Sequence, residues 1–342
     1  MINKVTLNSL VIFGCIPMLL YSGFSMAAYF ILFFYLIPNL NFQNVSLLVL
    51  ASLLCMIYFY KGPLSNQPWE TEQLAAINTT FAFFLLLLSP WIKTSILIEE
   101  SIVTDVAVII FLAVSLALAF LGKYPGAAIQ IGSFTWALYF AISNKIPRKV
   151  FLALAIVIGG GRSIILGGLY GLVMSRWPKL HKHVSFSFLV VVSAMAILGF
   201  LFFYLQEYLH YLRGQGIFMK GRTGFWLSML DVKSTMLGHG AGESVKTMMV
   251  LTDTFRLPHN DYLRVYVDYG LVLFVFFLFS LWKNSLRGVN QLIATSILVF
   301  YMLTGNPLSF STVIVSYILI LNCQLITRHH APKVQKIRGS IL

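Results

Sequence analysis

Three residues in this chain are suited to chemistry that their neighbours could not do. His259, in Pro258-His259-Asn260-Asp261-Tyr262-Leu263-Arg264, carries an imidazole whose ordinary pKa of about 6.5 lets it take a proton from a sugar hydroxyl at neutral pH. A hydrogen-bonded histidine at a membrane edge is the competing reading. Arg222 lies in Gly221-Arg222-Thr223-Gly224-Phe225-Trp226. Thr223 can cap a short helix whose Phe225, Trp226, Leu227, Met229 and Leu230 would rest on a membrane surface, and a guanidinium beside such a helix N-terminus favours a phosphate oxygen. An ordinary solvated loop arginine would look the same. Arg162 follows Gly159-Gly160-Gly161 inside an apolar stretch, where a guanidinium costs several kcal/mol unless it pairs, snorkels or faces a polar cavity. It either holds an anion or anchors the chain at the lipid headgroups.

A second group of residues could serve these three. Gly238-His239-Gly240-Ala241-Gly242 precedes Glu243-Ser244-Val245-Lys246 and reads either as a loop whose amides cradle a phosphate or sugar at a helix start, or as a flexible turn. From a helix starting near Asn260 or Asp261, Tyr262, Leu263, Tyr266 and Gly270 continue one face from His259, while Asp261, Arg264 and Asp268 share another and should pair among themselves. The sequence has no phosphate-binding Walker loop, no CxxC pair and no His-Glu-x-x-His, and Asp231, Glu243 and Asp253 are scattered. Chemistry without metal or other cofactor is therefore expected.

The elements that must position these groups are set by composition. The chain has 342 residues, 58% of them hydrophobic and 10% charged, with a mean hydropathy of +0.84, so lipid rather than a soluble core must take up most of its apolar surface. The apolar runs lack the alternation of barrel strands, which leaves an all-α polytopic transmembrane bundle. Runs at 44–60, 73–92, 102–121, 125–143, 184–206 and 262–282 each suit one span. Those at 8–38, 148–175 and 289–326 are too long for one and carry breaks at Ser22-Gly23, Gly159-Gly160-Gly161 and Gly305-Asn306-Pro307, so that splitting each gives about twelve spans. Cys15, Cys55 and Cys323 lie inside apolar runs as small hydrophobes rather than a disulfide framework. An early Lys4 followed by an apolar run without a small-residue cleavage site reads as an uncleaved first span.

The net charge of +13 follows topology and not nucleic acid, because the basic residues sit in the breaks between spans. With both termini cytoplasmic, the inner side receives Lys4, Lys93, Lys145, Arg148, Lys149, Arg176, Lys179, Lys182, Lys283, Arg287 and the basic tail 327–342, while short outer loops hold only Lys61 and Lys123. The expected organisation is a bundle over 1–206 with Arg162 at an outward helical break, an outer loop over 207–261 that carries the chemistry, and three further transmembrane helices over 262–326.

Taken together, these segments resemble the O-antigen ligase and O-antigen polymerase superfamily, polytopic bacterial enzymes that join glycans carried on undecaprenyl diphosphate. The resemblance rests on Arg162-Ser163 after an apolar run, on Gly221 to Trp226, on Gly238 to Gly240, and on Pro258 to Arg264 with Gly270, which together cover roughly residues 150–285. The usual Ser-Arg order of the family is Gly161-Arg162-Ser163 here, which keeps the arginine but not the preceding hydroxyl. The resemblance implies that an acceptor hydroxyl attacks the anomeric carbon of the lipid-linked glycan, with His259 assisting proton removal and Arg222 and Arg162 neutralising the departing diphosphate. Gly221, Trp226, Gly238, Gly240, Gly242, Asn260, Tyr262 and Tyr266 are the expected substrate contacts. The implied setting is the periplasmic face of a bacterial inner membrane. Membrane lipids are the implied surroundings, and a chain-length regulator and a flippase of the same pathway are candidate partners. Of the family's two activities, polymerisation of repeat units is favoured by the compact outer loop over ligation to lipid A core. A lipid-linked oligosaccharide flippase or transporter, in which arginines bind diphosphate but no bond changes, is the reading from another class.

Overall fold

The structure, a computed structural model, describes residues 4–16, 19, 27–36, 42–63, 71–94, 96–99, 102–120, 134, 137–139, 162–175, 229, 235–252 and 260–326. Among these the chain is mostly helical. In order come α1 (Lys4–Leu10), continued by a π-helical turn over Val11–Cys15, then α2 (Ala27–Leu36), α3 (Phe42–Lys61), α4 (Thr71–Leu88), strand β1 (Ile96–Glu99), α5 (Ile102–Phe120), α6 (Arg162–Ser175), α7 (Glu243–Thr252), α8 (Asp261–Ser285), α9 (Val289–Thr304), a short 3-10 turn at Pro307–Ser309, α10 (Ser311–Leu321) and strand β2 (Cys323–Ile326). By length and composition two of the described helices, Gln43–Lys61 and Asp261–Ser285, are apolar enough to cross a membrane, although the second is bent at Gly270 and is not one straight span. The expected spans at 184–206 and most of 125–143 lie outside the described residues.

The helices are apolar on both faces. Inward, Phe83, Phe84, Phe277, Ile297, Ile314 and Ile318 belong to one large buried core. Outward, α3 exposes Val49, Leu53, Met56 and Tyr60, α6 exposes Leu166, Leu169 and Val173, and α8 exposes Leu271, Val275 and Phe279. Stripes of large apolar side chains at helical spacing, opposite an apolar core, call for a non-aqueous neighbour.

One expected break is present. The run 289–326 divides where Gly305-Asn306-Pro307 ends α9, and the 305–310 turn is enclosed, with Gly305, Asn306, Pro307 and Leu308 all buried. Backbone freed at such a turn needs partners inside the protein. Leu308 N donates to Asp261 Oδ2 at 2.8 Å, and Asn78 Nδ2, from the middle of α4, donates to Ser309 O at 2.8 Å. Of the run 148–175, residues 162–175 are described and form α6, while the breaks expected at Ser22-Gly23 and Gly159-Gly160-Gly161 lie outside the described residues.

Helix α6 packs antiparallel on α9 through Gly167 and Gly171. A methyl group at Gly167 would lie 2.6 Å from Ser296 O and 2.8 Å from Ile297 Cα, and one at Gly171 would lie 2.8 Å from Ile293 Cα. Small residues four apart let two backbones touch, the usual basis of close helix pairing in lipid.

The run 262–282, expected as one straight span, is bent. Gly270 has φ 83° and ψ 176° inside α8, a left-handed φ that favours glycine. In a straight helix Tyr262 and Phe277 would stand about 22 Å apart along the axis. Their ring centroids are 6.4 Å apart, and those of Tyr266 and Phe274 are 6.0 Å apart, so the arm 261–269 folds back toward the arm 271–285. The second arm descends beside α4, where Ser280 Oγ donates to Leu87 O and Asn284 Nδ2 donates to Ser89 Oγ.

A strictly all-α fold is also corrected. Strands β1 and β2 pair in parallel with Ile96 opposite Cys323 and Glu99 opposite Ile326. Ile96 and Ile98 point into the core while Leu97 is exposed, the period-two pattern of a half-buried strand. This end of the bundle is closed by side chains that satisfy helix termini. Asn44 Nδ2 donates to Lys93 O, Asn322 Oδ1 accepts from Thr94 N, and Arg287 Nη2 donates to Ser89 O, Pro90 O and Ile92 O. Burial lowers the pKa of Arg287 from its ordinary value.

Candidate functional site

Asn260 is the N-cap of α8, with Oδ1 accepting from Tyr262 N at 3.0 Å and Leu263 N at 3.1 Å. The start of α8, the residue after His259, is thereby fixed at the place where the sequence puts it. His259 itself, with Gly221, Arg222 and Trp226, lies outside the described residues. Arg162 is described as the first residue of α6.

From that start the charged face of α8 runs into the protein. Asp261, Arg264 and Asp268 are each 0 to 1% exposed. Arg264 Nε stands 3.9 Å from Asp268 Oδ2, and Arg264 Nη1 donates to Ser309 Oγ at 2.6 Å. Asp261 holds the 305–310 turn through Leu308 N. The expected pairing within this face is therefore present between Arg264 and Asp268, and it ties α8 to the break between α9 and α10. Breaking such a pair from one side leaves a buried charge without its partner, at a cost of about 3–5 kcal/mol.

The bend at Gly270 explains the glycine loop. With the helical ladder interrupted, the carbonyls of Val267 and Asp268 and the amide of Val272 lack their usual partners. The loop supplies them. His239 N donates to Val267 O at 3.2 Å, Gly240 N to Asp268 O at 2.9 Å, and Val272 N to Met236 O at 3.2 Å. On its other side Ala241 N donates to Tyr58 O at 2.9 Å, and Lys61 Nζ donates to Leu237 O and Gly238 O at 3.0 and 2.8 Å. Gly238 (φ 68°) and Gly240 (φ 103°) are glycine because the loop is wedged between two backbones. A methyl group at Gly238 would lie 2.5 Å from Gly270 N, and one at Gly240 would lie 2.6 Å from Gly62 Cα.

The same loop ends on the N-terminus of α7, and that terminus is filled. Asp268 Oδ1 accepts from Ser244 N at 2.8 Å, and Oδ2 accepts from Ser244 Oγ at 3.1 Å and Gly242 N at 3.4 Å. The reading of Gly238, Gly240 and Gly242 as a cradle whose amides hold a phosphate is accordingly revised. Those amides donate within the protein, Gly238 N to Thr235 O among them, and the anion at the helix start is the chain's own carboxylate.

Two other expected substrate contacts also serve packing. Tyr262 is buried, and its hydroxyl donates to Val299 O at 3.0 Å. Tyr266 packs with Leu263 against a second, smaller core of Met229, Met248 and Val267. Met229, expected on a membrane surface, belongs to that core. Met229 and Met248 of the loop thus pack on the first arm of α8 in a small cluster apart from the main core.

The glycine contacts of α6 fix where Arg162 begins. Gly171 meets Ile293 and Gly167 meets Ile297, so extending the antiparallel register by five residues sets the backbone of Arg162 level with Met302. The C-terminal end of α9 therefore lies beside the backbone of Arg162 and the start of α8. Comparison with protein-family models, with curated proteins and with solved structures returned no match to this chain.

Proposed function

We propose that this chain is a metal-independent membrane glycosyltransferase that polymerises undecaprenyl-diphosphate-linked oligosaccharide repeats at the periplasmic face of a bacterial inner membrane, within a bundle of about twelve spans. The observation that carries the reading is that the backbone of Arg162, by the register of α6 on α9, and Asn260, the N-cap of α8, both lie beside the enclosed end of α9. Transfer from a diphosphate carrier requires a base and a guanidinium near one another, and His259 and Arg162 are the residues proposed to supply them. His259 takes the proton from the acceptor hydroxyl as it bonds to the anomeric carbon. The carbon–oxygen bond to the diphosphate breaks, and Arg222 and Arg162 balance the charge left on the carrier. Because the glycine-loop amides donate inside the protein, recognition of the diphosphate falls to the arginine side chains, which bind phosphate in a bidentate way.

The test is purified protein in detergent, given lipid-linked repeats and no energy source. Longer glycans are expected, and unchanged substrate from demonstrably folded protein would refute the reading. In cells, loss of a polymerase leaves core carrying a single repeat. Bare core with accumulated lipid-linked polymer would assign the chain to ligation instead. Interrupted helices around buried charge, as at Gly270 and 305–310, are also found in transporters. Energy-independent movement of the carrier across a bilayer without any change in glycan length would favour the flippase reading.

A further inference from the structure

We infer that Asp268 is a positioning residue for transfer, acting through the glycine loop; the inference rests on the glycosyltransferase reading above. The ordinary way to finish a helix N-terminus is a local Ser, Thr, Asp or Asn. Helix α7 has Gly242 there instead, since Lys246 N donates to Gly242 O, and glycine brings no side chain. The cap arrives from Asp268, 26 residues further along the chain. A local cap would stabilise α7 equally well but would leave it free of α8. A cap in trans joins the two.

The connections that meet at Asp268 show how far the coupling reaches. Its carboxylate holds Gly242 and Ser244, its carbonyl holds Gly240 N, and its partner Arg264 holds Ser309 in the turn where α8 begins. The glycine loop, the α7 N-terminus, the first arm of α8 and the 305–310 turn therefore move as one body. The charge is balanced from both sides, by the positive helix end and by the guanidinium, which is what permits a carboxylate to remain fully buried there. An acceptor without charge would satisfy Ser244 but would leave Arg264 without a counter-ion. Asp268 touches no reacting atom in this scheme. Its effect on transfer comes from keeping the loop seated against the helix that follows His259.

The experiment compares full-length wild type with Asp268→Ala, Asp268→Asn and the charge-balanced double variant Arg264→Gln/Asp268→Asn. Hydrogen–deuterium exchange over residues 236–250 and steady-state transfer per folded molecule are measured on each. In Asp268→Ala, exchange at Gly242 and Ser244 should quicken about tenfold or more, and kcat should fall about tenfold while KM for the lipid-linked donor, which the arginines hold, changes less than about threefold. The double variant retains an acceptor for Ser244 N without an orphaned guanidinium, and it should recover a kcat within about threefold of wild type. If Asp268→Ala proves too unstable to measure, Asp268→Asn against the double variant decides the same point. Quickened exchange with unchanged KM and kcat would make Asp268 a structural cap alone and overturn the inference while sparing the proposed activity. A lowered kcat with unaltered exchange would also overturn it. Wild-type protein that keeps a protected loop but transfers nothing sinks the glycosyltransferase reading itself.

Discussion

Alanine placed at Gly167, Gly168 and Gly171, one at a time, should change stability in opposite directions within a single turn of α6. Alanine favours a helix over glycine by up to about 1 kcal/mol, so each substitution begins with a gain. At Gly168 the added methyl group meets only Ile297 Cγ1 at 3.9 Å, an ordinary contact, and the gain survives. At Gly167 and Gly171 the nearest atoms are backbone atoms of α9 at 2.6 to 2.8 Å, against ordinary contact from 3.4 Å. Backbone cannot rotate away, so the two helices must part locally by several tenths of an ångström. Overpacking of that kind costs about 1–3 kcal/mol, and the small-residue seam also loses dispersion contacts along its length. The net expectation is a gain of about 0.5–1 kcal/mol for Gly168→Ala and a loss of about 1–2 kcal/mol for each of the other two. Reversible unfolding of the full-length protein in mixed detergent, followed by tryptophan fluorescence, reads the sign directly. If Gly168→Ala were as damaging as Gly171→Ala, the contact between α6 and α9 would not run along the face described, and the level assigned to Arg162 would fall with it.

Three further outcomes are expected. Gly270→Ala forces a left-handed φ on a residue with a side chain and drives a methyl group to 2.6 Å from Met236 O, so strain of about 1–2 kcal/mol adds to hydrogen bonds of about 1 kcal/mol each as the loop lifts, read as a lower unfolding midpoint with faster exchange over 236–242. Asn260→Ala removes the cap of α8 and should cost about 1 kcal/mol in the same unfolding assay while lowering transfer more than stability, because the residue beside it is His259. His259→Ala should lower transfer by about 10² to 10⁴ at normal abundance without rescue by asparagine, and Arg222→Lys should keep more activity than Arg222→Ala, both measured on purified protein with lipid-linked repeats.

Much of the helical frame is legible in the sequence, because its signals are local. Asn260 after Pro258 marks the start of α8, Gly305-Asn306-Pro307 marks the end of α9, and Gly242 before Glu243 marks α7. The features that escape are those in which one segment answers a need created by another. Gly270 sits in an apolar run where a lone glycine is tolerated in a straight helix, and only the loop 236–240, which meets the carbonyls it frees, makes it a bend. Asp268 reads as one charge on a polar face, whereas its acceptors reach Gly242 and Ser244 far upstream. Four-residue strands at Ile96–Glu99 and Cys323–Ile326 are too short to stand out from apolar runs, and their partners cannot be read from either alone. For the site, the sequence offered to a ligand the loop amides and the Tyr262 hydroxyl that the fold uses for itself, while His259, Arg222 and Trp226 lie outside the described residues.

The parallel seam between β1 and β2 has a consequence for how the protein is made. Thr94 and Asn322, at its edge, are 228 residues apart, and β2 follows directly on α10. Helices are made in chain order, so the end of the bundle carrying β1 stays open until α10 has been synthesised. Pairing over so long a separation is slow to nucleate. The final register of the bundle is therefore set late, by a strand arriving last. A nascent chain stalled before residue 322 would leave the edge of β1 available to any passing strand.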